Sequence, residues 1–104
     1  MAQAVGNRHD MARFLLGLGV IYRRWRRFPE SVECLERCLA VLSGLADLHG
    51  EAEARTELGL TWLEAGNSGR ARADLSAAWE ILVRLPGAGP AASATRVRGW
   101  WPAS

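Results

Sequence analysis

Lysine is missing from this chain: all thirteen basic residues are arginines, set against eleven acidic ones for a net charge of +2. So small an excess does not by itself point to nucleic acid, because proteins that bind it electrostatically concentrate cations on one face. Arginine-only usage with abundant alanine, glycine and leucine marks a GC-rich genome. Long apolar runs are also missing, and none approaches the roughly 20 residues that a membrane span needs. The N-terminus has no basic stretch leading into an apolar core and cleavage site, so no secretory signal is read and a cytoplasmic chain is expected.

Cysteine is scarce. Cys34 and Cys38 lie one helical turn apart, where a disulfide is strained and a reducing compartment disfavours it. Adding His49 gives three ligands where a structural zinc takes four, so Cys38 is read as a small core residue and no metal is expected. No phosphate loop, dinucleotide fingerprint or nucleophile–base–carboxylate grouping is visible, and neither a cofactor nor a catalytic residue is expected.

What the chain does have is a pattern written twice, forty residues apart, over residues 12–44 and 52–84. The shift sets Leu18-Gly19 on Leu58-Gly59, Leu35 on Leu75 and Leu42 on Leu82, while Tyr22 meets Trp62 and Cys38 meets Ala78. Charges are not kept: Arg24 becomes Glu64 and Glu30 becomes Arg70. A repeat that keeps size and loses charge is keeping a packing geometry.

Each copy carries two apolar stripes at helical spacing. Phe14, Leu15, Leu18, Ile21 and Tyr22 form the first stripe, and Val32, Leu35, Cys38, Leu39 and Leu42 the second. Breaks at Pro29 and at Gly66-Asn67-Ser68 separate them. The expected fold is all-α, two antiparallel hairpins with helices at 11–26, 29–45, 50–65 and 68–85. Asp10 and Asp47 are candidate N-caps and Gly66 a left-handed C-cap. Gly19 and Gly59 fall inside helices at a cost of about 1 kcal/mol each, so close approach of a second helix must require them. Ser31, Cys38, Ala71 and Ala78 supply the matching small surface. Residues 1–10 read as a joint from a preceding repeat, 11–49 and 50–85 as the two repeats, and 86–104 as a Pro- and Gly-rich linker with a disordered tail. Trp100-Trp101 in that tail makes no convincing membrane anchor.

With Ala12 and Ala52 as first positions, each copy places leucine-glycine at seven and eight, an aromatic at eleven and small or apolar residues at twenty, twenty-four and twenty-seven. These are Leu18-Gly19-Tyr22 with Ser31-Leu35-Cys38, and Leu58-Gly59-Trp62 with Ala71-Leu75-Ala78. The pattern resembles the tetratricopeptide repeat. It departs from that repeat in its forty-residue period, in Ser43 and Val83 where proline is frequent, and in Arg26 where glycine often ends the first helix. The long period is similar to arrays of bacterial signalling ATPases and of Streptomyces antibiotic regulatory protein-type regulators, whose joints Gly6-Asn7-Arg8-His9 and Ala46-Asp47-Leu48-His49 resemble.

The resemblance implies a short solenoid acting as a non-catalytic protein-interaction module, with a peptide or partner helix bound on the concave face of the first helices. By position that face comprises Arg13, Leu16, Val20, Arg23 and Arg24, then Glu53, Thr56, Leu60, Leu63 and Glu64. The alternative it implies is a sensory or autoregulatory piece of a transcription regulator. Gly17, Val20, Glu57 and Leu60 stand where carboxylate-clamping members carry asparagine, which disfavours that use. Arg23 and Arg24 point to a protein partner with acidic residues beside an apolar anchor. Two unsatisfied end faces point to self-association or a larger parent array. Neither nucleic acid nor membrane is expected as a partner.

Overall fold

The computed structural model describes residues 4–85, with side chains from Asn7 onward. The chain is all-helical over this span: α1 (Ala4–Arg24), α2 (Phe28–Gly44), α3 (Leu48–Glu64) and α4 (Ser68–Arg84), with no strand among the described residues. Helix α1 packs on α2, α3 on α4, and α2 on α3, while α1 and α3 touch more lightly. The linker and tail expected at 86–104, including Trp100-Trp101, lie outside the described residues.

The three joints repeat one device. Arg26, Ala46 and Gly66 each take a positive φ, of 62°, 55° and 90°, twenty residues apart. Each is followed by an N-cap position, Arg27, Asp47 and Asn67. The left-handed residue turns the chain while its neighbours satisfy the last carbonyls of the outgoing helix. Arg27, Asp47 and Asn67 donate their N–H groups to Tyr22, Leu42 and Trp62 in turn. Asp47 and Asn67 also accept from the backbone N–H of Gly50 and Arg70 at 2.9 and 3.1 Å. Arg27 makes no side-chain cap, and α2 relies on Pro29 in its first turn.

Only Gly66 adopts its backbone without a side-chain penalty, so the other two joints hold stored strain. Arg26→Gly and Ala46→Gly should each raise stability, by about 1 kcal/mol for Ala46. The gain at Arg26 should be smaller, since its guanidinium sits over the Phe28 ring, 5.2 Å from the centroid, and that contact is lost. Denaturant midpoints of the two variants check both the sign and the order.

The start of α1 differs from the sequence expectation. The helix begins at Ala4, so Gly6-Asn7-Arg8-His9 is helical and not a joint, and Asp10 lies inside the helix and not at its cap. Ala46-Asp47-Leu48-His49 breaks where it does because α2 must reverse direction there. Gly6 alone costs too little to stop a helix.

The core is built from small residues. Ala12, Leu35, Cys38, Leu42, Ala52, Ala54, Leu58, Ala71 and Ala78 are buried, together with Ser31 and Thr61. Gly19 and Gly59 are needed: a Cβ at either would lie 2.6 Å from the Cγ of Leu35 or Leu75. At Gly19 the gap is held by hydroxyls. Ser31 Oγ donates to the Gly19 carbonyl at 2.7 Å, and Thr61 Oγ1 has Ser31 Oγ at 3.1 Å and the Glu57 carbonyl at 2.9 Å as acceptors. This chain of contacts ties α1, α2 and α3 at their closest approach.

Of the first apolar stripe, Leu15, Leu18 and Tyr22 are half-buried, but Phe14 is 65% and Ile21 45% exposed. No described helix covers that side of α1. Trp25, just past the end of α1, is 69% exposed.

Cys38 Sγ donates to the Ala12 carbonyl at 3.2 Å, and burial pushes its pKa up to about 11. A thiol so held does not ionise near neutrality, and only the thiolate attacks. Cys34 is half-buried, its thiol also raised by burial but less far. Alkylation of the native protein at neutral pH should therefore label Cys34 alone, with Cys38 reacting only on unfolding. Peptide-resolved mass spectrometry reads this directly, and equal labelling of both would contradict the burial of Cys38.

Candidate functional site, the groove between α1 and α3

Helices α1 and α3 run side by side without interdigitating, which leaves a trough between them. Two adjoining cavities form it, of about 450 and 530 Å³. Both are lined by Arg13, Leu16 and Glu53. The first extends to His9, Asp10 and the α3 start at Asp47, His49 and Gly50. The second runs up to Gly17, Val20, Ile21 and Glu57. The floor is aliphatic, from Leu16, Val20 and Ile21, and the walls are charged.

Arg13, Leu16, Val20 and Glu53 of the residues expected on this face come together in the trough. The other six do not line it. Arg23 closes its upper end: Nη2 reaches Glu57 Oε1 at 3.2 Å and Nη1 reaches Glu64 Oε2 at 2.9 Å, its side chain only 16% exposed. Glu64 is committed to that bond. Arg24 is exposed and has no ion pair among the described residues. Thr56 turns its hydroxyl onto its own helix, donating to the Ala52 carbonyl at 2.8 Å. Leu60 is half-buried outside both cavities. Leu63 faces a different one, of about 350 Å³, between α3 and α4 with Ala71 and Leu75.

The run Arg23-Arg24-Trp25-Arg26-Arg27 is consequently not one basic patch. Arg23 clamps α3, Arg26 stacks on Phe28, and Arg27 lies over Tyr22 at 5.8 Å and bonds Glu30 at 2.6 Å. That bond lifts the Arg27 pKa and lowers that of Glu30.

This division reverses the charge that an incoming group meets. The trough is lined by Asp10, Asp47, Glu53 and Glu57 against Arg13 as the one lining arginine. Asp47 is partly answered by His9, whose Nε2 lies 3.5 Å from its carboxylate, and Glu57 by Arg23. Asp10 and Glu53 have no ion pair among the described residues. The sequence places Arg23 and Arg24 on this face and points to an acidic partner, whereas the charged residues that line the trough are mostly acidic. Glu57, Ile21 and Asp10 are not among the residues expected on this face, although Glu57 follows Glu53 by one helical turn and that spacing alone places both on one face.

No group of three or more histidine, cysteine, aspartate or glutamate side chains among the described residues is arranged to hold a metal ion. No helix of the described residues is long and apolar enough to cross a membrane. No family model, curated protein or solved structure matches the chain.

Proposed function

We propose that this chain is a non-catalytic protein-interaction module that holds a peptide or partner helix in the trough between α1 and α3. The observation that carries this reading is the continuity of the two cavities through Arg13, Leu16 and Glu53, giving an elongated apolar floor with charged walls. An extended or helical segment fits such a shape: apolar anchors fill the floor while polar groups at the walls fix register. The tetratricopeptide-like pattern of the sequence supports the same reading, since first helices line the trough. Among the described residues no histidine or carboxylate side chain hydrogen-bonds a hydroxyl or thiol, which supports the non-catalytic reading.

The partner chemistry follows from the walls. A segment with an apolar anchor and flanking cations meets Asp10 and Glu53, and its association should be accelerated by charge and weakened by salt. An array of peptides carrying one apolar pair flanked by either arginines or glutamates tests this. The arginine set is expected to bind, Glu53→Arg to shift preference toward the glutamate set, and Arg72→Glu, on α4, to leave preference unchanged. If the glutamate set binds the parent protein better, the charge assignment fails; if neither set binds, the trough is not a peptide site.

A further inference from the structure

An overlapping face of α1, which shares Asp10, Gly17 and Ile21 with the trough, carries a different assignment, so the two occupants exclude one another. On α1, Met11, Phe14, Leu18, Ile21 and Trp25 follow one another at alternating intervals of three and four, the spacing that lets two helices run along each other. Four of the five are exposed, Met11 52%, Phe14 65%, Ile21 45% and Trp25 69%. Forty residues on, the equivalent positions of α3 include Ala54, Leu58 and Thr61, which are fully covered where α3 packs on α2. The same face is therefore a helix-packing face on α3, whereas on α1 no described helix covers it and its side chains are larger.

We infer that this face binds α1 of a second copy of the chain, antiparallel, about a two-fold axis at Gly17. In that register Met11 lies opposite Ile21 of the second copy and Phe14 opposite Leu18. The positions flanking the seam are Asp10, Gly17 and Arg24, so Asp10 meets Arg24 of the second copy twice and glycine meets glycine between them. Neither Asp10 nor Arg24 has an ion pair among the described residues. A Cβ at Gly17 would meet nothing within 4 Å. The chain's own packing therefore gives no reason for glycine there, whereas an axis of close approach does. Parallel pairing sets Asp10 against Leu15 and offers Arg24 no acid. The two-fold arrangement uses one patch twice and closes, which an end-to-end stack does not.

Sedimentation of the intact chain over a wide concentration range tests the assignment. A reversible dimer is expected. Met11→Ser with Phe14→Ser should weaken it by more than about tenfold, since both side chains are lost from each copy. Asp10→Arg and Arg24→Asp should each weaken it, and the two together should restore it, with helical content by circular dichroism unchanged throughout. A monomer at every concentration overturns the inference, as does a dimer indifferent to Met11 and Phe14, which places the contact on the α3–α4 end or in residues 86–104. Should the Met11/Phe14 variant lose its fold, the charge exchange decides alone: failure of the double exchange to restore the dimer overturns the antiparallel register.

Discussion

Leucine in place of Gly59 is expected to remove much of the stability of this protein. A Cβ there would already stand 2.6 and 2.7 Å from Leu75 Cγ and Cδ2, and 3.3 Å from the Ala71 carbonyl oxygen. The oxygen belongs to the α4 backbone and cannot rotate away, so three further carbons must push α3 and α4 apart. Overpacking of this kind costs roughly 1 to 3 kcal/mol, occasionally more. Domains of this size are stable by only about 5 to 15 kcal/mol. A fall in melting temperature of about 4 to 24 °C is expected, at about 4 to 8 °C per kcal/mol. The alanine variants refine the test. Leu35 against Gly19 is 1% exposed and enclosed, whereas Leu75 against Gly59 is half-buried and has room to turn. Gly19→Ala should therefore cost more than Gly59→Ala, and in both the better helix propensity of alanine offsets part of the loss. An unchanged melt for Gly59→Leu would mean that α3 and α4 do not cross there.

Reversing Arg23 to glutamate is the second large effect, and here the structure changes the sequence expectation. Treated as an exposed charge, Arg23 could be reversed together with Arg24 at little cost to folding. It is instead mostly covered, and it joins α1 to α3 through both Glu57 and Glu64. Its Nε is buried without a partner, so the side chain already gives up one hydrogen bond to hold this position. Arg23→Glu would set three carboxylates together at the top of the trough. A loss of about 2 kcal/mol is expected, below the 3 to 5 kcal/mol of a fully buried pair because Glu64 is 42% exposed. Arg24→Glu, at an exposed position, should change stability by less than about 0.5 kcal/mol. Separate thermal melts distinguish the two, and equal effects would show that the α1–α3 clamp does not form in solution. Salt should narrow the difference, because the clamp is partly open to solvent.

The groove and the clamp differ in how far their residues are legible in the sequence. Arg13, Leu16, Val20 and Glu53 could be placed on one trough by helical spacing and by the forty-residue register alone. Phe14 and Ile21 could not be told from core residues, since spacing shows that residues share a face and not what covers it. Residues 23–27, four arginines around Trp25, are uniformly basic along the sequence, but their side chains part in space. Helix geometry turns successive side chains by about 100°, and the helix ends inside the run.

The sequence by itself determined the four helices, their joints and the tight crossings, because these depend on local chemistry and on size: Pro29 and Gly66 break the chain, Asp47 and Asn67 cap, and glycine at 19 and 59 admits a leucine from the next helix. Residue size is conserved through a repeat, so it can be read by shifting the chain against itself. Tertiary structure alone decided the left-handed strain at Arg26 and Ala46 and the sign of charge in the trough. Each of these depends on what a neighbouring helix does or fails to do at that point. A long arginine side chain reaches either solvent or a carboxylate thirty or forty residues away, and only the packing of α1 beside α3 puts Glu57 and Glu64 within its span.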